Sequence, residues 1–456
     1  MERVVTFRLI TAMFLTMAAT SFCGTADDLD NRGLAELGKR DWDGAIADFT
    51  KIIQLKPDDA DAYINRGSAR AAKGDSNGAI VDYNKAIQIK PDNAEAYVAR
   101  GSVNMAAGRL DSAIVDFNKA LQIKPNDADA YLGRGAAEKD KGELDEAIAD
   151  CTRAIDLKPD DAEAYNRRGL AKQAKGNLDG AIADCTRAID LKADYAFAYD
   201  NRGVAKQAEG NLEGAIADYT KAIELEPRVV DGYLYRSKAK QANGDLDGAI
   251  ADYTKAIELK PDDALAYRGR GYLKQAKGDL NGALADYAKA IELNPEDGLA
   301  YTGRAYLRYD AQDFTRALVD FRKAIELNAT DDYAHFRVWL LRARLGEAEA
   351  ATAELQTYLA GRVPGKADDW IAKIGRFLTG RMAEADFLAA AGNGDQKMRS
   401  GHLCEAYFYA GSKRLFAGDK AMAADYFQES IATDKRNYTE YASAAAELKF
   451  LKAQKN

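Results

Sequence analysis

The chain repeats itself every 34 residues, and this period restricts its fold more than any other feature. From Ala26 the pattern restarts without insertion at Ala60, Ala94, Ala128, Ala162, Ala196, Val230, Ala264 and Gly298, so that nine consecutive repeats end at Asp331. Within each repeat, apolar and small residues recur at helical spacing on both sides of a breaker. In repeat 264–297 (ALAYRGRGYLKQAKGDLNGALADYAKAIELNPED), Tyr267, Gly271 and Lys274/Gln275 mark successive turns of a first helix that Gly278 closes. Asp279 or Asn281 is placed to cap a second helix carrying Ala283, Tyr287 and Ala290, which Pro295 stops; Glu296-Asp297 then supply the next cap. Seven of the eight prolines (Pro57, Pro91, Pro125, Pro159, Pro227, Pro261 and Pro295) hold this one position. The period therefore predicts an all-α array of stacked antiparallel helix pairs, and composition agrees: 47% hydrophobic and 30% charged residues suit amphipathic helices rather than sheets or disorder.

Small residues at position 8 of each repeat (Gly33, Gly67, Gly101, Gly135, Gly169, Gly203, Ser237, Gly271, Ala305) and alanine at position 20 (Ala45 through Ala317) let paired helices approach closely. With aromatics at positions 4 and 24, alanine near 27 and proline at 32, these positions resemble the tetratricopeptide repeat. The resemblance implies a right-handed superhelical solenoid whose first helices line a concave groove for a partner peptide or helix. Two positions stand out. Position 7, usually apolar in that family, is arginine throughout: Arg32, Arg66, Arg100, Arg134, Arg168, Arg202, Arg236, Arg270, Arg304. Position 23 is aspartate throughout: Asp48, Asp82, Asp116, Asp150, Asp184, Asp218, Asp252, Asp286, Asp320. Their shared period predicts a structural ladder of Arg–Asp pairs, within or between repeats; an anion-capturing arginine stripe would be neutralised by the matched carboxylates.

In the resembling family, positions 2, 5, 9 and 12 of the first helices face the groove. Early repeats place apolar and small groups there, Ile64, Ala71, Val98 and Met105, which suit an amphipathic helix. Later ones place Asn166, Gln173, Asp200, Gln207, Lys238, Gln241, Arg268, Tyr272, Gln275, Tyr306 and Tyr309 there; glutamines spaced one per repeat could bond an extended peptide backbone. Lys172, Lys206, Lys240 and Lys274 beside them are expected to serve solubility. The Lys/Asn carboxylate clamp known from some members of the family is absent.

Residues 1–26 read as a signal peptide: Arg3 and Arg8, an apolar stretch from Leu9 to Phe22, and Gly24-Thr25-Ala26 before Asp27. Bulky Phe22 departs from a lipidation site at Cys23. The array of nine repeats then occupies 27–331, a degenerate tenth repeat plus extra helices 332–403, and a final repeat with a capping helix 404–456, with a break at Arg362-Val363-Pro364-Gly365. Segments Trp370-Ile371-Ala372-Lys373-Ile374 and Phe387-Leu388, followed by Cys404-Glu405-Ala406-Tyr407-Phe408-Tyr409, resemble the C-terminal part of NlpI-like bacterial envelope proteins. That resemblance implies a periplasmic adaptor, in a Gram-negative bacterium, that gathers envelope hydrolases and proteases.

The formal charge is −8, and −9 once residues 1–26 (Arg3 and Arg8 against Glu2) are set aside, which disfavours nucleic acid and anionic membrane as partners. Cys151, Cys185 and Cys404 form no disulfide framework; the first two take an aromatic position and read as small core residues. His335 and His402 lie far apart and no metal spacing or phosphate loop accompanies them. The expectation is a binding protein without cofactor, metal or catalytic residue, whose partners are polypeptides. A glycan or peptidoglycan binder using the tyrosines and amides, and a self-associating structural protein, are the alternatives.

Overall fold

The computed structural model describes residues 25–362 and 369–454. The signal peptide lies outside these residues apart from Thr25 and Ala26, as do Cys23 and the break at Val363-Pro364-Gly365. Twenty-five helices and no strand occur among the described residues. The chain divides into two bodies, one ending at Pro227 and the other beginning at Arg228. Eighteen helices, from α1 (Ala26–Gly38) and α2 (Trp42–Leu55) to α17 (Gly298–Asp310) and α18 (Phe314–Leu327), are the nine expected pairs. In each body they stack as an α-solenoid.

Local chemistry accounts for the punctuation. Asp59, Asn93, Asp127, Asp161, Asp263 and Asp297 cap first helices by accepting backbone N–H bonds from the opening turn. Asp279, not Asn281, caps its second helix through Gly282 N. Position 15 adopts the left-handed conformation, as at Gly210 with φ +91°, and keeps it even at Arg40 (φ 59°) and Gln312 (φ 63°). The small residues at position 8 are equally specific: a Cβ on Gly203 would lie 2.7 Å from the Tyr219 ring. Each alanine at position 20 is fully buried.

The tail departs from simple stacking. Helices α19 (Asp332–Arg344) and α20 (Ala348–Gly361) form the tenth pair, followed by α21 (Trp370–Leu378) and α22 (Glu384–Ala391). The last pair, α23 (Gln396–Phe416) and α24 (Lys420–Ala432), begins eight residues before Cys404, where the sequence pattern placed it, because Asp395 caps α23 through Met398 N. Helix α25 (Thr439–Ala453) packs on α23 and α24 and also returns to α17, so that residues from Ala305 to Leu451 share one core.

Candidate functional site

The ladder of arginine and aspartate is the frame on which the first helices stand. In repeats 2 to 9, Nε and one terminal nitrogen of the position-7 arginine donate to both oxygens of the aspartate sixteen residues later, at 2.6–3.0 Å. Arg32 pairs with Asp48 in the same fashion. The pairs therefore lie within repeats, first helix to second. The remaining guanidinium nitrogen reaches the preceding repeat, where Arg66, Arg168, Arg202 and Arg270 donate to Thr50, Thr152, Thr186 and Thr254 at 3.1–3.2 Å. From repeat 2 onward each arginine also lies over its own position-4 tyrosine, 5.5–5.8 Å from the ring centre. All nine aspartates are 1–8% exposed.

The residues expected in the groove divide into three groups. In the N-terminal body Val98, Met105, Gln173, Asp200 and Gln207 are partly open, whereas Ile64 is buried against Tyr83 and Val103. In the C-terminal body Lys238 and Tyr272 are exposed and Gln241 and Gln275 partly so, while Arg268 donates to Asp297 at 2.7 Å. Tyr306 and Tyr309 are not groove residues: both are buried, and Tyr309 donates to Glu447 of α25 at 3.1 Å. Repetition alone could not show that a distant helix occupies that stretch. Two of the four glutamines are held in the same manner. Tyr219 donates to Gln207 Oε1 at 3.1 Å and Tyr287 to Gln275 Oε1 at 2.9 Å. Accepting through oxygen leaves the amide NH2 as the group offered to a ligand.

One pocket of about 350 Å³ opens on this face in the N-terminal body. Its walls come from repeats 3 to 6, with Met105, Ala136, Leu170 and Phe197 as apolar parts and Asn166 and Asn201 as polar ones. Asn201 donates to Asn166 Oδ1 at 2.9 Å, and Asn166 in turn to the Tyr195 hydroxyl at 3.4 Å. Asn166 is thus a buried wall residue rather than an open rung.

Three models of the tetratricopeptide repeat match the sequence: one at residues 67–108, 101–139, 135–176 and 238–278, a second at 268–332, and a third at 162–195 and 198–229. Together they span more than half of the chain. This is a tetratricopeptide-repeat protein. Among solved structures, the chain is similar to a tetratricopeptide repeat protein from Parabacteroides merdae (18% identity, 54% of this chain and 98% of that one, TM-score 0.46). It is also similar to MamA (31% identity, 36% and 95%, TM-score 0.32) and to YrrB, described as having an unusual peptide-binding site (27% identity, 39% and 92%, TM-score 0.33). No curated protein matches significantly. The repeat matches end at residue 332.

Position 11 of this tetratricopeptide array, expected from the sequence to serve solubility, is instead part of the ladder. Lys172, Lys206, Lys240 and Lys274 each bond the ladder aspartate of their own repeat at 2.8–2.9 Å, as Arg70 and Arg308 do in theirs. The twelve-residue spacing from position 11 to position 23 was the signal available. Repeat 4 reverses the charge, because Glu138 stands there beside Asp150 with Arg134 as the nearby cation, 3.6 Å away. Burial, then the Asp150 charge, pushes its carboxyl up to about 7. A raised folded value means that the stability gained by the neutral form is fully present below the ordinary carboxylate range and lost as pH rises through 7. Hydrogen exchange of helices 128–141 and 144–157 should therefore speed up between pH 5 and pH 8, after correction for intrinsic chemistry. Glu138→Lys, which copies repeats 5 to 8, should abolish that loss; an unchanged pH response would refute the role of this carboxyl.

Cys151 and Cys185 are buried, free thiols pushed up to about 12 by burial, which makes them inert packing groups. His335 stacks on Tyr358, and His402 on Trp370. Among the described residues no group of three or more His, Cys, Asp or Glu is arranged to hold a metal ion, and no helix is long and apolar enough to cross a membrane.

Proposed function

We propose that this protein is an interaction scaffold that holds extended peptide segments of other polypeptides on the face lined by its first helices. The observation that supports the reading is the glutamine at position 12: Gln207 in the N-terminal body and Gln275 in the C-terminal body each accept from a tyrosine hydroxyl through Oε1, which leaves the amide N–H donors to a ligand. Donors presented at a constant position of the repeat match the carbonyls of an extended backbone, which binds without demanding a particular sequence. The sequence of residues 1–26 and of the tail adds a location: an exported adaptor of the bacterial envelope, whose partners include hydrolases or proteases.

The chain purified without residues 1–26 and immobilised should retain a stoichiometric envelope protein from a bacterial envelope extract. Gln207→Ala with Gln173→Ala should release it without changing helix content. Retention of the chain on purified peptidoglycan sacculi, undiminished by those substitutions, would instead favour the glycan reading. Sedimentation at micromolar concentration that shows only self-association would favour the structural one.

A further inference from the structure

Position 24 is Phe or Tyr in seven of the nine repeats, and in three of them its ring packs against a glycine at the next repeat's position 6. Where glycine stands at that position the ring takes the space beside it: a Cβ on Gly133 would come within 2.4 Å of Phe117, one on Gly269 within 2.5 Å of Tyr253, and one on Gly303 within 2.5 Å of Tyr287. Repeats 4 and 5 carry Cys151 and Cys185 instead. A thiol occupies far less volume than a ring, and the pocket of about 350 Å³ opens beside Cys151. Phe197 stands at the rim with 58% of its surface exposed, at position 2, where five of the six repeats of this body carry an acid. Tyr195 meets it edge-on at 6.4 Å. The charged groups at the mouth are already matched, Arg167 to Glu163 and Lys139 to Asp140, so the opening favours no ionic ligand.

We infer that this pocket is an anchor subsite for one uncharged aromatic side chain of the bound peptide, an inference that rests on the peptide-binding reading above and specifies it. The volume is at the lower end for ligand pockets, about 300–1,000 Å³, which suits a single ring-bearing side chain rather than a cofactor. Phe197 and the Met105 thioether line the pocket, and both suit contact with an entering ring. Asn201, through the part of its amide not donated to Asn166, can bond the adjoining peptide group.

The test uses single-residue probes. N-acetyl-tryptophan amide, followed by saturation-transfer NMR on the whole chain, should bind saturably, whereas N-acetyl-lysine amide should not. Cys151→Tyr puts a ring at position 24, as repeats 1, 2 and 6 carry beside Asn65, Ala99 and Tyr235; it should abolish the tryptophan signal while helix content is retained. Phe197→Ser, at an exposed position where fold is not at stake, should weaken binding at least tenfold. Equal binding of the lysine probe, no saturable binding to the native chain, or binding unchanged in Phe197→Ser would overturn the inference. If the envelope partner is still captured and released by Gln207→Ala with Gln173→Ala while the tryptophan probe fails, the anchor falls and the scaffold reading stands.

Discussion

Arg337→Ala is expected to destabilise the C-terminal body by about 3–5 kcal/mol, the cost of removing one partner from a buried ion pair, and to leave the N-terminal body intact. The side chain is 0% exposed. It donates to Glu440 at 3.0 Å and Ser443 at 3.1 Å, and its guanidinium carbon lies 4.5–5.0 Å from the ring centres of Tyr306, Tyr309 and Phe408. Alanine would leave Glu440 without its cation and a void among three aromatic rings, two penalties from one substitution. Nearby, burial and the neighbouring Glu440 push Glu405 up to about 7, and burial raises Asp310 to about 6. Both shifts are upward, so their contribution is present at low pH and lost as pH rises through 6 to 7; the variant should accordingly suffer more at pH 8 than at pH 5. Urea unfolding followed by Trp339 and Trp370, the two tryptophans of that body, measures it. A loss below about 1 kcal/mol would mean that α25 is not held by this arginine.

That cluster also marks where sequence reasoning ran out. A constant period states what each repeat does with its neighbours, and so the helix pairs, their caps and the Arg–Asp frame are legible in the sequence. Tyr306 holds the same repeat position as Tyr272, and Tyr309 the same as Gln275, yet both are buried because α25, more than 130 residues later, packs against α17. Nothing local to residues 298–310 records that contact. Repeat 10 gives a partial hint: its position 6 is arginine, Arg337, beside Phe336 and Trp339, large apolar groups that no exposed helix would need. The anchor pocket was missed for a different reason. Cys151 and Cys185 were correctly read as small buried groups, but smallness in place of a ring implies a vacancy as much as a close fit. Deciding between these requires knowing that Arg167 and Asn201, at position 6 of the next repeats, line the space without filling it.

The frame itself can be tested where it is most completely bonded. Asp184, 5% exposed, accepts from Arg168 at 2.8 Å through both oxygens and from Lys172 at 2.8 Å. Asp184→Ala leaves two partly buried cations facing one another, and about 3 kcal/mol of local stability should go with the carboxylate. Because Arg168 also donates to Thr152 of the preceding repeat at 3.2 Å, the loosening should reach repeat 4. Native-state hydrogen exchange resolves this, with faster opening expected in helices 144–157, 162–174 and 178–191. Asp43→Ala is the matched control: its partner Lys73 comes from the next repeat, but both side chains are at least half exposed, so the change should cost under about 1 kcal/mol. If Asp184→Ala behaved like Asp43→Ala, the ladder would be surface decoration, and the positions it is argued to hold, including the glutamine donors and the pocket walls, would need another source of rigidity.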